Sequence, residues 1–257
     1  MPPQQAVDTF KRNAASVFGL IDFDRAVLEF SIDGLNSLVG QLEALGSNNA
    51  AHTVSNFVQV LGNVRQNDSL RPKYETIYNQ CVVLLVSYFG AAVHTTFTEA
   101  VGTAFSGAHA VPAASQEIKL TWRDLRRDDL PLGEVLAELI VAQRDISFQD
   151  MQSITRAFKD NLGVDLDRDV VTNDIILGQA CRHAIAHAGR VVDSRMIRQL
   201  RAAVPRTMKQ TIAEGDTIAF APEEVLQLGA TMEIYLGRLC DAVEARLTRL
   251  NNERSGT

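Results

Sequence analysis

The chain has 257 residues, of which 46% are hydrophobic and 22% charged, and a formal net charge of −6. This is ordinary globular usage, which excludes a wholly disordered or fibrous chain and leaves room for a sizeable core. The acidic balance excludes a protein that coats nucleic acid indiscriminately.

A first helical region is expected over residues 6–45. Val27, Leu28, Ile32, Leu35, Leu38, Val39, Leu42 and Leu45 recur there mostly at steps of three and four. Gly46-Ser47-Asn48-Asn49 closes it with residues that accept a left-handed backbone. Residues 19–22 are a candidate division of this region into two helices, and residues 1–5 are expected to be loose. A second block spans 52–105, with a break near 67–72 set by Pro72. Its stretch 77–104 is apolar almost all round, the pattern of a central bundle helix. Residues 106–115 read as a loop, and 122–127 as a short element. Asp128-Asp129-Leu130-Pro131 reads as a helix start, and 132–144 as an amphipathic helix.

Ser147 is the candidate N-cap of a helix reaching about 161, with Asp150 three residues on. Helices are then expected over 171–188, ended by Gly189, and over 193–203. Residues 211–220 place β-branched residues on both sides of Glu214-Gly215-Asp216, which predicts a small hairpin. Pro222-Glu223-Glu224 opens a last helix to about 250. The expected fold is mainly α, a helical bundle with a small C-terminal β-hairpin. Residues 1–110 form an N-terminal helical portion of the same domain, 111–250 the core, and 251–257 a disordered tail.

The start, Met1-Pro2-Pro3-Gln4-Gln5, lacks the pattern of a secretory signal. No uninterrupted apolar run approaches the ~18 residues of a membrane span. Cys81, Cys181 and Cys240 fit reduced, buried thiols. A cytoplasmic protein without a membrane partner is expected.

One segment concentrates chemistry: Gln179-Ala180-Cys181-Arg182-His183-Ala184-Ile185-Ala186-His187. Metal-free RNA cleavage needs a proton acceptor for the 2′-hydroxyl and a donor for the departing 5′-oxygen. Histidine titrates near neutrality and can do either. Charge gathering on the phosphate calls for a permanent cation such as arginine. Arg182 and His187 supply one of each. On an ideal helix they stand roughly 140° apart, so they meet only if the helix ends or distorts near Ala186, or across a dimer. His183 and His187, four residues apart, do share a face and suit zinc if Asp174 or Asp193 adds a ligand. Helix histidines also serve as plain hydrogen-bonding residues, and spacing alone leaves all three readings open.

The charge pattern favours a phosphate partner. Between Arg182 and Lys209 seven basic residues face one acid, Asp193, a net of +6 in a chain of −6. Arg190, Arg195, Arg198, Arg201 and Arg206 are the candidate contacts to an RNA backbone. The competing reading pairs these arginines with acids such as Glu223 and Glu224. No glycine-rich phosphate loop is present.

The run Arg182-His183-Ala184-Ile185-Ala186-His187, with Gly189 and Val191-Val192-Asp193 after it, resembles the RxxxxH signature of the HEPN superfamily, and most of all its RiboL-PSP-HEPN group. The order of elements from about 122 onward and the apolar helix around 82–97 are similar too. The resemblance implies a dimerising helical bundle that cleaves RNA without a cofactor or metal, in toxin–antitoxin or antiviral defence settings. It assigns Arg182 and His187 to the two motif positions and His183 to an assisting one. RNA, a second copy and an antitoxin protein are the implied partners. Active members often carry an acid on an early helix, whereas Ser87-Tyr88-Phe89-Gly90 has none and Glu99 is the nearest. Some members bind without cleaving, so the alternative is a non-catalytic RNA- or protein-binding dimerisation module.

Overall fold

The computed structural model describes residues 2–66, 71–107, 111–115, 117–121 and 132–255. Among them the chain is helical. The helices are α1 (Pro2–Ala44), α2 (Asn48–Gln66), α3 (Arg71–Ser106), α4 (Leu132–Gln143), α5 (Met151–Leu162), α6 (Val170–His187), α7 (Ser194–Arg201) and α8 (Pro222–Ser255), with a 3-10 turn at Pro112–Ser115. The expected short element at 122–127 and helix start at 128–131 lie outside the described residues.

α1 runs without a break through residues 19–22, and residues 2–5 belong to it. Val7, Phe10, Ala14, Val17 and Ile21 recur along one face and are buried. An internal glycine costs a helix about 1 kcal/mol. Burying Val17 and Ile21 contributes roughly 1.5–3 kcal/mol each, so Gly19 does not divide the helix. Gly46 ends the region with φ +76, and the Ser47 N–H donates to the Leu42 carbonyl at 2.9 Å. The distal half of α1 then pairs with α2.

α3 is the central helix, and Cys81, Val82, Leu85, Phe89, Val93, Phe97 and Val101 are fully buried along it. It packs on α1, α4, α5, α6 and α8. By length and composition Tyr74–Ser106 is apolar enough to cross a membrane, and 56% of its most apolar window is buried within the bundle. Pro72 occupies its first turn, where a missing N–H costs nothing. Edge-on aromatic contacts join the layers: Phe10–Phe89 at 6.4 Å, Phe89–Tyr235 at 5.8 Å and Phe97–Phe158 at 5.4 Å. Cys81, Cys181 and Cys240 are buried and form no disulfide with one another.

Three local expectations need correction. The C-terminal β-hairpin does not form. The turn at Glu214–Gly215 exists, closed by Asp216 N–H to the Ala213 carbonyl at 3.2 Å, but its arms do not pair with each other. Their backbone groups go elsewhere. Gly215 N–H donates to Val192 at 2.9 Å, Val192 N–H to Asp216 at 2.9 Å, and Ile218 N–H to Arg190 at 2.8 Å, around an isolated Val191–Thr217 bridge. The buried Asn79 amide takes the Ile218 carbonyl and the Phe220 N–H, both at 3.2 Å. Second, Asp150, not Ser147, caps α5, accepting from Ser153 N–H at 2.8 Å. Ser147 closes the preceding turn by accepting from Gln149 N–H. Third, α8 continues to Ser255, so most of the expected disordered tail is helical.

Candidate active site on α6

α6 starts at an Asp169 cap, whose carboxylate accepts from Thr172 N–H at 3.0 Å. Ile175, Leu177, Ala180, Cys181 and Ala184 turn one face of the helix into the core. Gly178 lets it sit directly on α8, since a Cβ there would come within 2.9 Å of the Leu228 side chain. Burial pushes the Cys181 thiol up to about 12, which removes it as a nucleophile at neutral pH.

The opposite face carries the motif. The helix stays regular through His187 and ends at Ala188, with Ala188 and Arg190 N–H groups both donating to the Ala184 carbonyl at 2.9 and 3.0 Å. Gly189 and Arg190 take left-handed φ values of +60 and +70. No distortion precedes His187, so Arg182 and His187 keep their separation of roughly 140° around the axis. His183 lies between them. Its ring is 5.1 Å from the His187 ring, and it shares a cleft with Arg182.

That cleft has a volume of about 140 Å³. Gln179, Arg182 and His183 form its α6 wall, and Asp150 and Asp193, the caps of α5 and α7, face them with Arg195. The N-caps of two helices thus lie at one small space. On two residues that line the cleft, Arg182 Nε and Gln179 Nε2 are buried donors with no hydrogen-bond partner among the described residues. Gln179 is only 4% exposed, and its Oε1 is held by Met151 N–H at 2.9 Å, which fixes the amide. Burying an unpaired donor costs about 1–3 kcal/mol, so each of these groups would gain from an acceptor that reaches it. The loop carrying Gln149 and Asp150 seats against α3 at Gly90, where a Cβ would lie 2.9 Å from the Phe148 carbonyl.

The segment around Gly90 therefore supports the cleft from behind without adding an acid to it. Glu99 does not line it. Burial, then the neighbouring Glu134, pushes its carboxyl up, and its Oε2 is buried without a partner. The acids at the cleft are Asp150 and Asp193.

The basic segment divides. Arg195 and Arg198 are exposed and line a larger groove beside the cleft. Arg190 sits half-buried in the tight turn after α6. Arg201 lines a different depression, with Val204 and Ile212. Arg206 is turned inward, 8% exposed, donating to the carbonyls of Leu200, Ala203 and Lys209 at 3.1, 2.9 and 3.1 Å. It braces the loop after α7 and is not free for phosphate. Lys209 pairs with Glu224 at 3.0 Å. Sequence reasoning included Gln179, one helical turn before Arg182, in the segment but gave it no role, and missed Arg156 and Arg168. These last two reach the same groove from α5 and from the turn before α6.

The zinc arrangement lacks its third ligand. The Asp174 carboxylate is committed to Thr207, through its hydroxyl and its N–H, while Asp193 accepts from Met196 N–H at 2.7 Å. Among the described residues no three His, Cys, Asp or Glu side chains group to hold a metal ion. Compared with known proteins, the chain finds no matching family model, no matching curated protein and no matching solved structure.

Proposed function

We propose that the chain is a metal-independent endoribonuclease of the HEPN type, acting as a homodimer. The observation that carries this reading is the cleft wall of Gln179, Arg182 and His183, with its two buried donors unpartnered among the described residues and the His187 ring tilted against that of His183 at 5.1 Å. Arg182 and Gln179 hold the scissile phosphate and stabilise the charge that builds on it. One imidazole takes the proton of the 2′-hydroxyl as its oxygen attacks phosphorus. The other protonates the departing 5′-oxygen, leaving a 2′,3′-cyclic phosphate and a 5′-hydroxyl. His187 is the principal acid/base, and His183 assists it as the second imidazole.

The angular gap along α6 supports a second copy. A paired chain brings its His187 to the Arg182 of the first. The test is complementation between dead variants. Arg182→Ala mixed and re-equilibrated with His187→Ala creates one intact composite site per mixed dimer, and activity returns. A mixture as inactive as its parts contradicts a shared site.

One observation favours a second reading, a non-catalytic RNA- or protein-binding module. Among the described residues no carboxylate of α3 lines the cleft, and Glu99 feels the charge of Glu134. RNA bound but left intact by the unaltered chain selects that reading. A toxin or defence role with an antitoxin partner, in the cytoplasm, fits the first.

A further inference from the structure

The groove next to the motif cleft is larger, about 970 Å³. The two share Asp150, Arg195 and Gln199, so they form one continuous depression. α5 and α7 make the sides of the groove. Met151, Leu166 and Ile176 contribute an apolar floor, with Tyr235 of α8 beneath. The rim is cationic. Arg156, Arg195 and Arg198 are exposed and make no hydrogen bond or ion pair among the described residues, and Arg168 spends only its Nε, on Asn173 at 2.9 Å. Lys159 is the fifth cation, held by Asp165 at 2.6 Å. Against these stands Asp150, which is occupied as the cap of α5.

Four free or nearly free guanidinium groups around one concavity repel one another, and among the described residues only Arg168 has a structural contact. Guanidinium forks match phosphate oxygens. The floor adds a second requirement. A duplex hides its bases, so an apolar floor between cationic walls gains nothing from it. A single strand offers sugars and base faces to that floor and phosphates to the rim.

We propose that this groove is the track of a single-stranded polynucleotide, gripped through its phosphates by Arg156, Arg168, Arg195 and Arg198 and led into the Arg182 cleft. That the strand is RNA rests on the cleavage reading above; the groove itself recognises backbone and exposed bases. Two of the four arginines lie outside the basic run at 182–209, so the track is assembled by α5, the turn before α6, and α7, with α5 and α7 both packed on α6.

The test is fluorescence anisotropy of the full chain with a labelled single-stranded dodecamer, in an uncleavable DNA form and an RNA form, over a salt series. The double variant Arg156→Gln/Arg168→Gln is compared with Arg249→Gln, an exposed arginine on α8 outside both depressions. The expected result is affinity weakened about tenfold or more and a salt slope flattened by about 0.7 for each contact removed. Arg249→Gln should match the unaltered chain. Circular dichroism melts confirm that the exposed substitutions leave the fold intact. No binding by the unaltered chain, or equal affinity and slope in all variants, overturns the track. A duplex of the same sequence bound as tightly overturns its single-strand character. If the groove variants lose binding while the unaltered chain cleaves nothing, the track stands and the nuclease reading falls. Cleavage and binding both unaffected by the groove variants give the reverse.

Discussion

Two regions of the molecule leave different things unsatisfied. In the α1–α2 hairpin it is apolar surface. Leu28, Ile32, Leu35, Val39 and Leu42 are half-buried toward α2. Yet Phe23, Val27, Phe30 and Leu38 on α1, with Phe57, Val60 and Val64 on α2, stay exposed, Phe30 by 82%. At the α6 cleft it is hydrogen-bonding capacity, in Gln179 and Arg182, and cationic charge around the groove. The difference decides what each region can say about function. Apolar surface accepts any apolar surface, so it names no chemistry. Fixed, buried donors accept only an acceptor of matching place and charge, so they do. The functional reading therefore stands on the cleft.

The contrast is sharpest within α1 itself. Phe10 is 1% exposed and meets Phe89, whereas Phe30, further along the same helix, meets solvent. Phe10→Ala should lower unfolding free energy by about 3–5 kcal/mol, and Phe30→Ala by less than about 0.5 kcal/mol, in urea titrations. Comparable losses would mean that the hairpin face is covered in solution and would break the comparison. Next in size is Asp174→Ala. It strips the acceptor from the Thr207 and Met208 N–H groups beside the buried end of α6 and should cost about 1–3 kcal/mol.

His94 gives a pH dependence near the cleft. Its ring lies 5.0 Å from Phe148, and burial holds its pKa below the ordinary histidine value despite the attraction of Glu138. A histidine with a lower pKa folded than unfolded binds more protons when unfolded. Its contribution to stability is therefore present above the ordinary histidine pKa and is lost as pH falls from there through the folded value. Melting followed at steps across this range should show stability dropping with acidification, and His94→Gln should flatten the profile. The smallest expected effect on stability is at the motif. Arg182→Met removes a buried, unpartnered Nε and should leave the melting temperature unchanged or raise it while abolishing function. A marked loss of stability would mean that Arg182 serves the fold.

The helices were legible in the sequence because each buries one stripe, and a stripe leaves a period. The hairpin was not, because β-branched residues around a true turn say nothing about partners. Residues 216–218 bond to Arg190 and Val192, more than twenty residues earlier, which no local pattern encodes. Gly19 misled because packing of its neighbours outweighs its propensity. At the site, the linear basic cluster pointed to phosphate but mixed unlike roles. Arg195 and Arg198 reach the groove, Arg206 is consumed inside a loop, and Arg156 and Arg168 join only because α5 and α7 both pack on α6. Linear density of charge indicates a partner class, and the fold alone decides which charges meet it.

The most direct measurement incubates the purified full chain with RNA in excess EDTA, beside Arg182→Ala and His187→Ala, and reads the product ends. The account predicts chelator-resistant cleavage, 2′,3′-cyclic phosphate termini, and a loss of at least about a hundredfold in either variant. Intact RNA with the unaltered chain, or cleavage that survives both substitutions, would contradict it.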